Sequence, residues 1–187
     1  MRYLLRQRVF LFFSCFLLFW FVFSPADTVR ADGQAKDRCL ATGWPQDTSD
    51  LAPDPGLVFG RLSNGLRYVL KANANPRQRV AMYLNVQAGS LHETEQQRGV
   101  AHFLEHMLFN GTTHYPPGTL VKYFQSLGMG FGGDTNAHTG FDETVYNLLL
   151  PSNQTTVLEE GFRVLADYAR GALLLEREVD RERGVIL

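Results

Sequence analysis

Cysteine is nearly absent from this 187-residue sequence, which contains Cys15 and Cys39 and no other. Small domains that depend on disulfides have many cysteines in even numbers, so a disulfide scaffold is excluded. An excess of one charge is absent too, because 18 basic and 19 acidic residues give a net charge of −1. Proteins that hold nucleic acid by neutralising phosphates are strongly basic, so we expect no nucleic-acid partner.

Long apolar runs are also lacking, with one exception at the N-terminus. Residues 9–23 are apolar at all but two positions, and basic residues but no acidic ones precede them. A basic flank, an apolar run and a small-residue cleavage site are typical of a secretory signal peptide. We therefore predict that residues 1–31 are a signal peptide, with cleavage after Ala26 or Ala31.

The alternative for residues 1–31 is an uncleaved anchor, because the apolar run approaches the length of about 20 residues that spans a bilayer. In either case the rest of the chain is exported, and it contacts the membrane only through this segment. Residues 32–55 are rich in Asp, Thr, Ser, Pro and Gly, which predicts a flexible lead-in. Residues 56–187 are numerous enough to form one domain with a hydrophobic core.

Period-two patterns predict strands in this domain. Apolar and polar residues alternate on both sides of Asn64-Gly65, a dipeptide that favours a tight hairpin turn. Residues 80–88 alternate again, and residues 145–150 are mainly apolar. These segments predict a mainly antiparallel sheet.

Helical patterns follow the strands. Thr94 and Gln97 fit a capping box, so a helix should begin near them, continue through residues 100–109 and end at Asn110-Gly111. We predict a second helix before Gly128 and a longer one capped by Ser152. The buried side of the longer helix would comprise Val157, Leu158, Phe162, Leu165 and Tyr168. The predicted fold is α/β, an α+β two-layer sandwich with helices packed on one face of the sheet.

The first of these helices carries a candidate metal site. His102 and His106 are four residues apart, so on a helix both imidazoles leave the same face one turn apart. Two imidazoles in that arrangement can bind one tetrahedral zinc ion, Zn2+. Glu105 shares the face, and a carboxylate there can accept a proton from water that the metal makes more acidic. Two ordinary histidines on an amphipathic helix are the alternative.

The spacing His-x-x-Glu-His is the inverted form of a zinc peptidase motif. With its surroundings, it resembles the insulinase/pitrilysin family of zinc metallopeptidases, in the exported bacterial branch with much longer chains. The resemblance covers residues 57–187 and is carried by these segments: Ala88-Gly89-Ser90, residues 99–112, Asn136-Ala137, Thr139 and residues 142–146.

The resemblance implies a zinc metalloendopeptidase, the residues of its site and its partners. His102 and His106 would be zinc ligands, and Glu105 the general base. The substrate would be a peptide or unfolded polypeptide, the other partners would be further domains of the same chain, and the location would be the periplasm. Asn136 and Ala137 match the family's edge strand that pairs with substrate, although Asn136 is equally well read as a turn residue.

The third zinc ligand of the family is a glutamate on a later helix. Spacing from His106 makes Glu182 a candidate, but the local pattern matches Glu182 to the family's supporting catalytic glutamate. The ligand would then lie at position 189, two residues beyond Leu187. We therefore expect this chain to be a fragment that is incomplete at the C-terminus, and to bind zinc weakly and hydrolyse peptides poorly when alone. Glu176, Glu178 and Glu182 are nearby acids that could substitute as the ligand, but beside Arg177, Arg181 and Arg183 they are best read as part of a solvated helix face.

A second function stays open from the sequence. The chain could be a non-catalytic relative that keeps the fold as a peptide-binding or assembly partner. The intact triplet of His102, Glu105 and His106 favours the enzyme.

Overall fold

A computed structural model describes residues 43–186 of the chain. The chain divides into two units, Met1–Pro55 and Gly56–Leu187. In the first unit, the described residues 43–55 contain one short 3-10 helix, Pro45–Thr48. The predicted signal peptide, both cysteines and residues 32–42 of the predicted lead-in lie outside the described residues.

The second unit contains five strands and four α-helices among its described residues. In chain order they are β1 (Leu57–Arg61), β2 (Arg67–Lys71), β3 (Val80–Val86), α1 (Val100–Met107), α2 (Thr119–Ser126), β4 (Thr135–Thr139), β5 (Thr144–Leu150), α3 (Thr155–Arg170) and α4 (Glu176–Ile186).

Strands β1 and β2 form the hairpin that Asn64-Gly65 predicts. They pair antiparallel with Leu57 opposite Lys71 and Arg61 opposite Arg67. Gly65 has φ of +91°, a conformation that glycine adopts without strain. The hairpin makes a two-stranded sheet of its own, and Val58 and Leu70 are more than half exposed.

The other three strands form an antiparallel sheet in the order β3-β5-β4, with β5 in the centre. Alternate residues of β5 are buried, namely Thr144, Tyr146, Leu148 and Leu150, as expected for a strand with one face on the core. The last three pack with Phe124 of α2 and with Val164 of α3. The prediction of a mixed α/β fold with a mainly antiparallel sheet is confirmed.

Three local predictions are wrong in detail. Thr94 and Gln97 do bond to each other, but they enclose a 3-10 turn, Glu95–Gln97, and α1 begins later, at Val100. Ser152 bonds to the backbone N–H of Gln154 and leaves α3 without a side-chain cap. Phe162 is 61% exposed, because α3 packs on the sheet along Gly161 and Val164 instead.

Gly161 explains which face of α3 is buried. A β-carbon at this position would lie 2.8 Å from both Leu150 and Met82, so α3 approaches the sheet closely there. Phe162 is the next residue, about 100° farther round the helix, and therefore turns away from the sheet. In the described part of the chain, no helix has the length and apolar character needed to cross a membrane.

Candidate metal centre

His102 and His106 converge on one side of α1. Their Nε2 atoms are 3.1 Å apart, and the ring planes are nearly perpendicular, at 84°. The helix produces this arrangement, since residues four apart lie one turn above each other. The histidines predicted to act together are therefore placed together.

The N-terminus of α1 is held by a residue that lies outside the helix. Both carboxylate oxygens of Glu93 accept backbone N–H groups, from Gly99 at 2.8 Å and from Ala101 at 2.7 Å. The same bonds lower the pKa of Glu93, with the bond from Ala101 contributing most. Glu93 thus satisfies N–H groups that have no partner inside the helix and adds a negative charge where the helix dipole favours it.

The other end of α1 is linked to α4 by Glu182. Its Oε1 lies 2.6 Å from Nδ1 of His106, and its Oε2 accepts a hydrogen bond of 2.7 Å from Nδ2 of Asn110. Glu182 is 8% exposed, so these bonds lie in a largely dry environment. An Nδ1–H that donates to Glu182 leaves the lone pair of a neutral imidazole on Nε2, the atom that faces His102.

Glu105 is buried, with 7% of its surface exposed. Its Oε2 accepts a 2.5 Å hydrogen bond from the hydroxyl of Thr139, the last residue of β4. Tyr146 lies near enough to respond to its charge, because burial raises the pKa of this phenol and Glu105 raises it further. Tyr146 is 3% exposed and stacks with Tyr168, which is the packing role expected of a strand tyrosine.

These residues fit a bound zinc ion in donor type, spacing and charge. Two imidazole nitrogens bound tetrahedrally to one zinc ion are separated by about 3.3 Å, close to the distance seen here. Two buried carboxylates, Glu105 and Glu182, lie beside the pair. Within residues 43–186, neither forms an ion pair with lysine or arginine. Buried charges are normally paired or bound to metal, so a dication would supply the missing positive charge.

Residues 43–186 contain no cluster of three or more His, Cys, Asp or Glu side chains that could hold a metal. Glu182 contacts the ring nitrogen of His106 that points away from His102, so its carboxylate does not join the Nε2 pair. Glu176 is exposed, as predicted for a solvated face. The same prediction is wrong for Glu178, which is 2% exposed and paired with Arg177 and Arg181, and for Glu182, which is also buried.

Asn136 and Ala137 lie in β4, at an edge of the three-stranded sheet. They pair with Asn147 and Tyr146 of β5, so Asn136 is a strand residue and not a turn residue. On the opposite side of β4, no strand pairs with it in the described part of the chain. An edge strand of this kind offers backbone N–H and C=O groups to another extended chain.

A cleft of about 320 Å³ opens beside His102. It is lined by Ser90, His102, Thr139, Gly140 and Phe141. Two backbone hydrogen bonds hold its wall together, from Ser90 to the carbonyl of Gly140 and from Leu91 to the carbonyl of Phe141. The cleft therefore runs from a predicted zinc ligand to the end of β4.

Sequence reasoning missed Glu93, Asn110 and Thr139 as parts of this site. From the sequence, Asn110 is a helix stop and one position of the resemblance, and Thr139 is one position of the resemblance. Glu93 lies in a polar stretch with several other acids and amides, and nothing in its spacing distinguishes it. All three act through contacts that the fold creates.

Comparisons with curated proteins find relatives that are named zinc proteases. The "Probable zinc protease PqqL" of Escherichia coli (strain K12) is 41% identical over 149 residues, which are 80% of this chain and 15% of that protein. The "Zinc protease PQQL-like" of Arabidopsis thaliana is 35% identical over 159 residues, 85% of this chain and 17% of that protein. The chain thus spans less than a fifth of the length of these curated relatives.

Solved structures give the same result. The crystal structure of the first half of the periplasmic protease PqqL from Escherichia coli superposes with a TM-score of 0.69 at 42% identity, over 72% of this chain and 29% of that one. The family model described as "Insulinase (Peptidase family M16)" matches residues 68–187. By sequence and by fold, the chain belongs to the insulinase family of peptidases, M16.

Proposed function

We propose that this chain contributes the zinc-binding and proton-transfer residues of a metalloendopeptidase. The observation that carries the proposal is the pair of Nε2 atoms of His102 and His106, 3.1 Å apart on α1, with the buried Glu105 beside them. Relatives in the same family are named zinc proteases, which supports the proposal.

His102 and His106 would hold the zinc ion through Nε2. When bound, zinc supplies a Lewis acid that polarises a carbonyl group and makes water more acidic. Glu105 would accept the proton of the attacking water on its carboxylate and deliver it to the amide nitrogen of the departing product. This double use of one carboxylate is ordinary general acid–base catalysis.

Glu182 would act through His106. By accepting the Nδ1–H, it fixes the tautomer and the ring orientation of the ligand, as carboxylates commonly do beside metal-bound histidines. Both oxygens of Glu182 are engaged, by His106 and by Asn110. For this reason we assign Glu182 the supporting role and not that of a third ligand.

The outer edge of β4 would bind substrate. Asn136 and Ala137 present backbone groups there, and main-chain pairing gives affinity with little dependence on sequence. The substrate class that fits is an extended peptide or unfolded polypeptide. Because the relative of known structure is described as periplasmic, we propose export through residues 1–31, to the periplasm, and further domains of the same chain as the remaining partners.

The test is the substitution Glu105→Gln in the complete gene product. We expect the rate of peptide hydrolysis to fall about 100- to 10,000-fold, because a general base contributes a factor of that size. Zinc content, measured by atomic absorption, should stay at the wild-type level because both histidines are intact. Glu95→Gln is the control, since Glu95 is exposed and pairs with Arg98 away from the histidines.

Activity that survives Glu105→Gln would contradict the general-base assignment. A wild-type protein that binds zinc and peptide but hydrolyses no peptide would instead favour the non-catalytic binding function.

A further inference from the structure

Thr139 joins two parts of the proposed site that otherwise have separate tasks. It is the last residue of β4, the edge strand, and its hydroxyl donates a hydrogen bond to Oε2 of Glu105 on α1. Thirty-four positions separate the two residues in the sequence. In the described part of the chain, Thr139 is the side chain that hydrogen-bonds to Glu105.

The direction of this hydroxyl is fixed by the backbone. Threonine is branched at Cβ, which restricts χ1, and Thr139 is paired with Thr144 of β5 at the end of the ladder. Glutamate has three rotatable side-chain bonds, so a rigid donor on a strand removes freedom that its carboxylate would otherwise have.

We propose that Thr139 is a positioning residue, which holds the Glu105 carboxylate in its proton-accepting orientation and couples that orientation to the strand that binds substrate. The inference rests on the proposed function. With Oε2 bonded to the hydroxyl of Thr139, Oε1 is left without a hydrogen-bond donor in the described part of the chain and is the oxygen we expect to receive the proton. A peptide paired along β4 would steady the same strand whose last residue orients the base.

A purely structural role for the hydroxyl predicts different results. If the bond merely satisfied a buried oxygen, its loss would lower stability and leave the chemistry of the folded protein unchanged. Thr144 provides the matched comparison, since it is the directly paired threonine, and its hydroxyl also bonds to an internal acceptor but does not touch Glu105.

The experiment compares Thr139→Val, Thr139→Ser and Thr144→Val in the complete gene product. Thr139→Val keeps the shape and removes the donor, and we expect kcat to fall about 10- to 100-fold with KM nearly unchanged. Thr139→Ser restores the donor without the stiff χ1, so its kcat should lie between wild type and valine. Thr144→Val should keep the wild-type kcat after correction for the folded fraction.

A second readout does not depend on activity. In crystal structures of the metal-free proteins, the Glu105 carboxylate should leave its wild-type position in Thr139→Val and keep it in Thr144→Val and Thr139→Ser. A Thr139→Val protein with an unmoved carboxylate, or with a kcat equal to that of Thr144→Val, would overturn the proposal. If no peptide is hydrolysed even by the wild type, the proposed function fails, while the carboxylate position still decides the role of Thr139.

Discussion

Two histidine–carboxylate pairs in the second unit have nearly the same local geometry. Nδ1 of His106 lies 2.6 Å from Glu182, and Nδ1 of His114 lies 2.8 Å from Asp167. In each pair the other carboxylate oxygen accepts a hydrogen bond from a nearby side chain. The donors are Asn110 for Glu182 and Thr112 for Asp167.

The two pairs differ in what the second imidazole nitrogen faces. Nε2 of His106 meets Nε2 of His102, whereas the side chain of His114 is 55% exposed. Asp167 is 4% exposed and also accepts the backbone N–H of His114, so it fastens the segment after α1 to α3. A histidine with a carboxylate on Nδ1 is thus as compatible with a structural clamp as with a metal site. The imidazole of His102, which faces Nε2 of His106, distinguishes the candidate metal site from the clamp.

The largest expected contrast comes from removing each imidazole. His106→Ala removes a proposed zinc ligand. Its zinc affinity should therefore fall by more than the roughly 10- to 100-fold that is typical when a residue hydrogen-bonded to a ligand is lost. His114→Ala should leave zinc affinity unchanged. Titration with a chromophoric zinc chelator measures both, and equal losses in the two variants would show that the comparison is false.

Substituting the two carboxylates should change different properties, namely zinc affinity for Glu182 and folding stability for Asp167. Glu182→Gln should lower zinc affinity about 10- to 100-fold, since a supporting partner is altered and no ligand is lost. Asp167→Asn places an amide among buried donors from Thr112 and His114, so it should lower the free energy of unfolding by about 1–3 kcal/mol. Urea unfolding and zinc titration of both variants test this. A stable Asp167→Asn protein with weakened zinc binding would contradict it.

A smaller effect concerns acid stability. Burial acts to raise the pKa of Asp167, but hydrogen bonds from Thr112 and His114 outweigh it, and the pKa lies below the ordinary value of 3.8. A carboxyl with a lowered pKa stabilises the fold fully above its unfolded value, and that stability is lost as the pH falls through the folded value. Wild type should therefore lose stability below pH 3.8.

Asp167→Asn should lose less of its stability over the same range, because it has no proton to take up at this position. Urea unfolding at a series of pH values, from about 6 down to about 2, measures the slope for each protein. Identical slopes would remove Asp167 as the source of the acid dependence.

The sequence alone predicted those features that depend on neighbours within one turn or one hairpin. Asn64-Gly65 predicted the hairpin through its turn conformation, and the four-residue spacing of His102 and His106 predicted their convergence. Both follow from local backbone geometry, which the spacing of residues in the sequence reflects directly.

The contacts that complete the site could not be predicted in this way. Asn110 meets Glu182 across 72 positions of sequence, and Thr139 meets Glu105 across 34, so each contact exists only after α4 and β4 have packed against α1. The prediction that Glu178 lies on a solvated helix face is wrong for the same reason. Its neighbours Arg177 and Arg181 suggest a solvated face, but packing buries the carboxylate and leaves the two arginines outside as its partners.

The length of α1 has a consequence for the proposed zinc binding. Eight residues are too few for a helix to persist in water without tertiary contacts, and this one depends on Glu93 before it and Glu182 beside it. The unfolded chain therefore presents no preformed pair of imidazoles, and a peptide copied from residues 99–109 would chelate poorly. If zinc binds as proposed, its affinity is coupled to folding stability, so added zinc should raise the unfolding temperature and unfolding should release the ion.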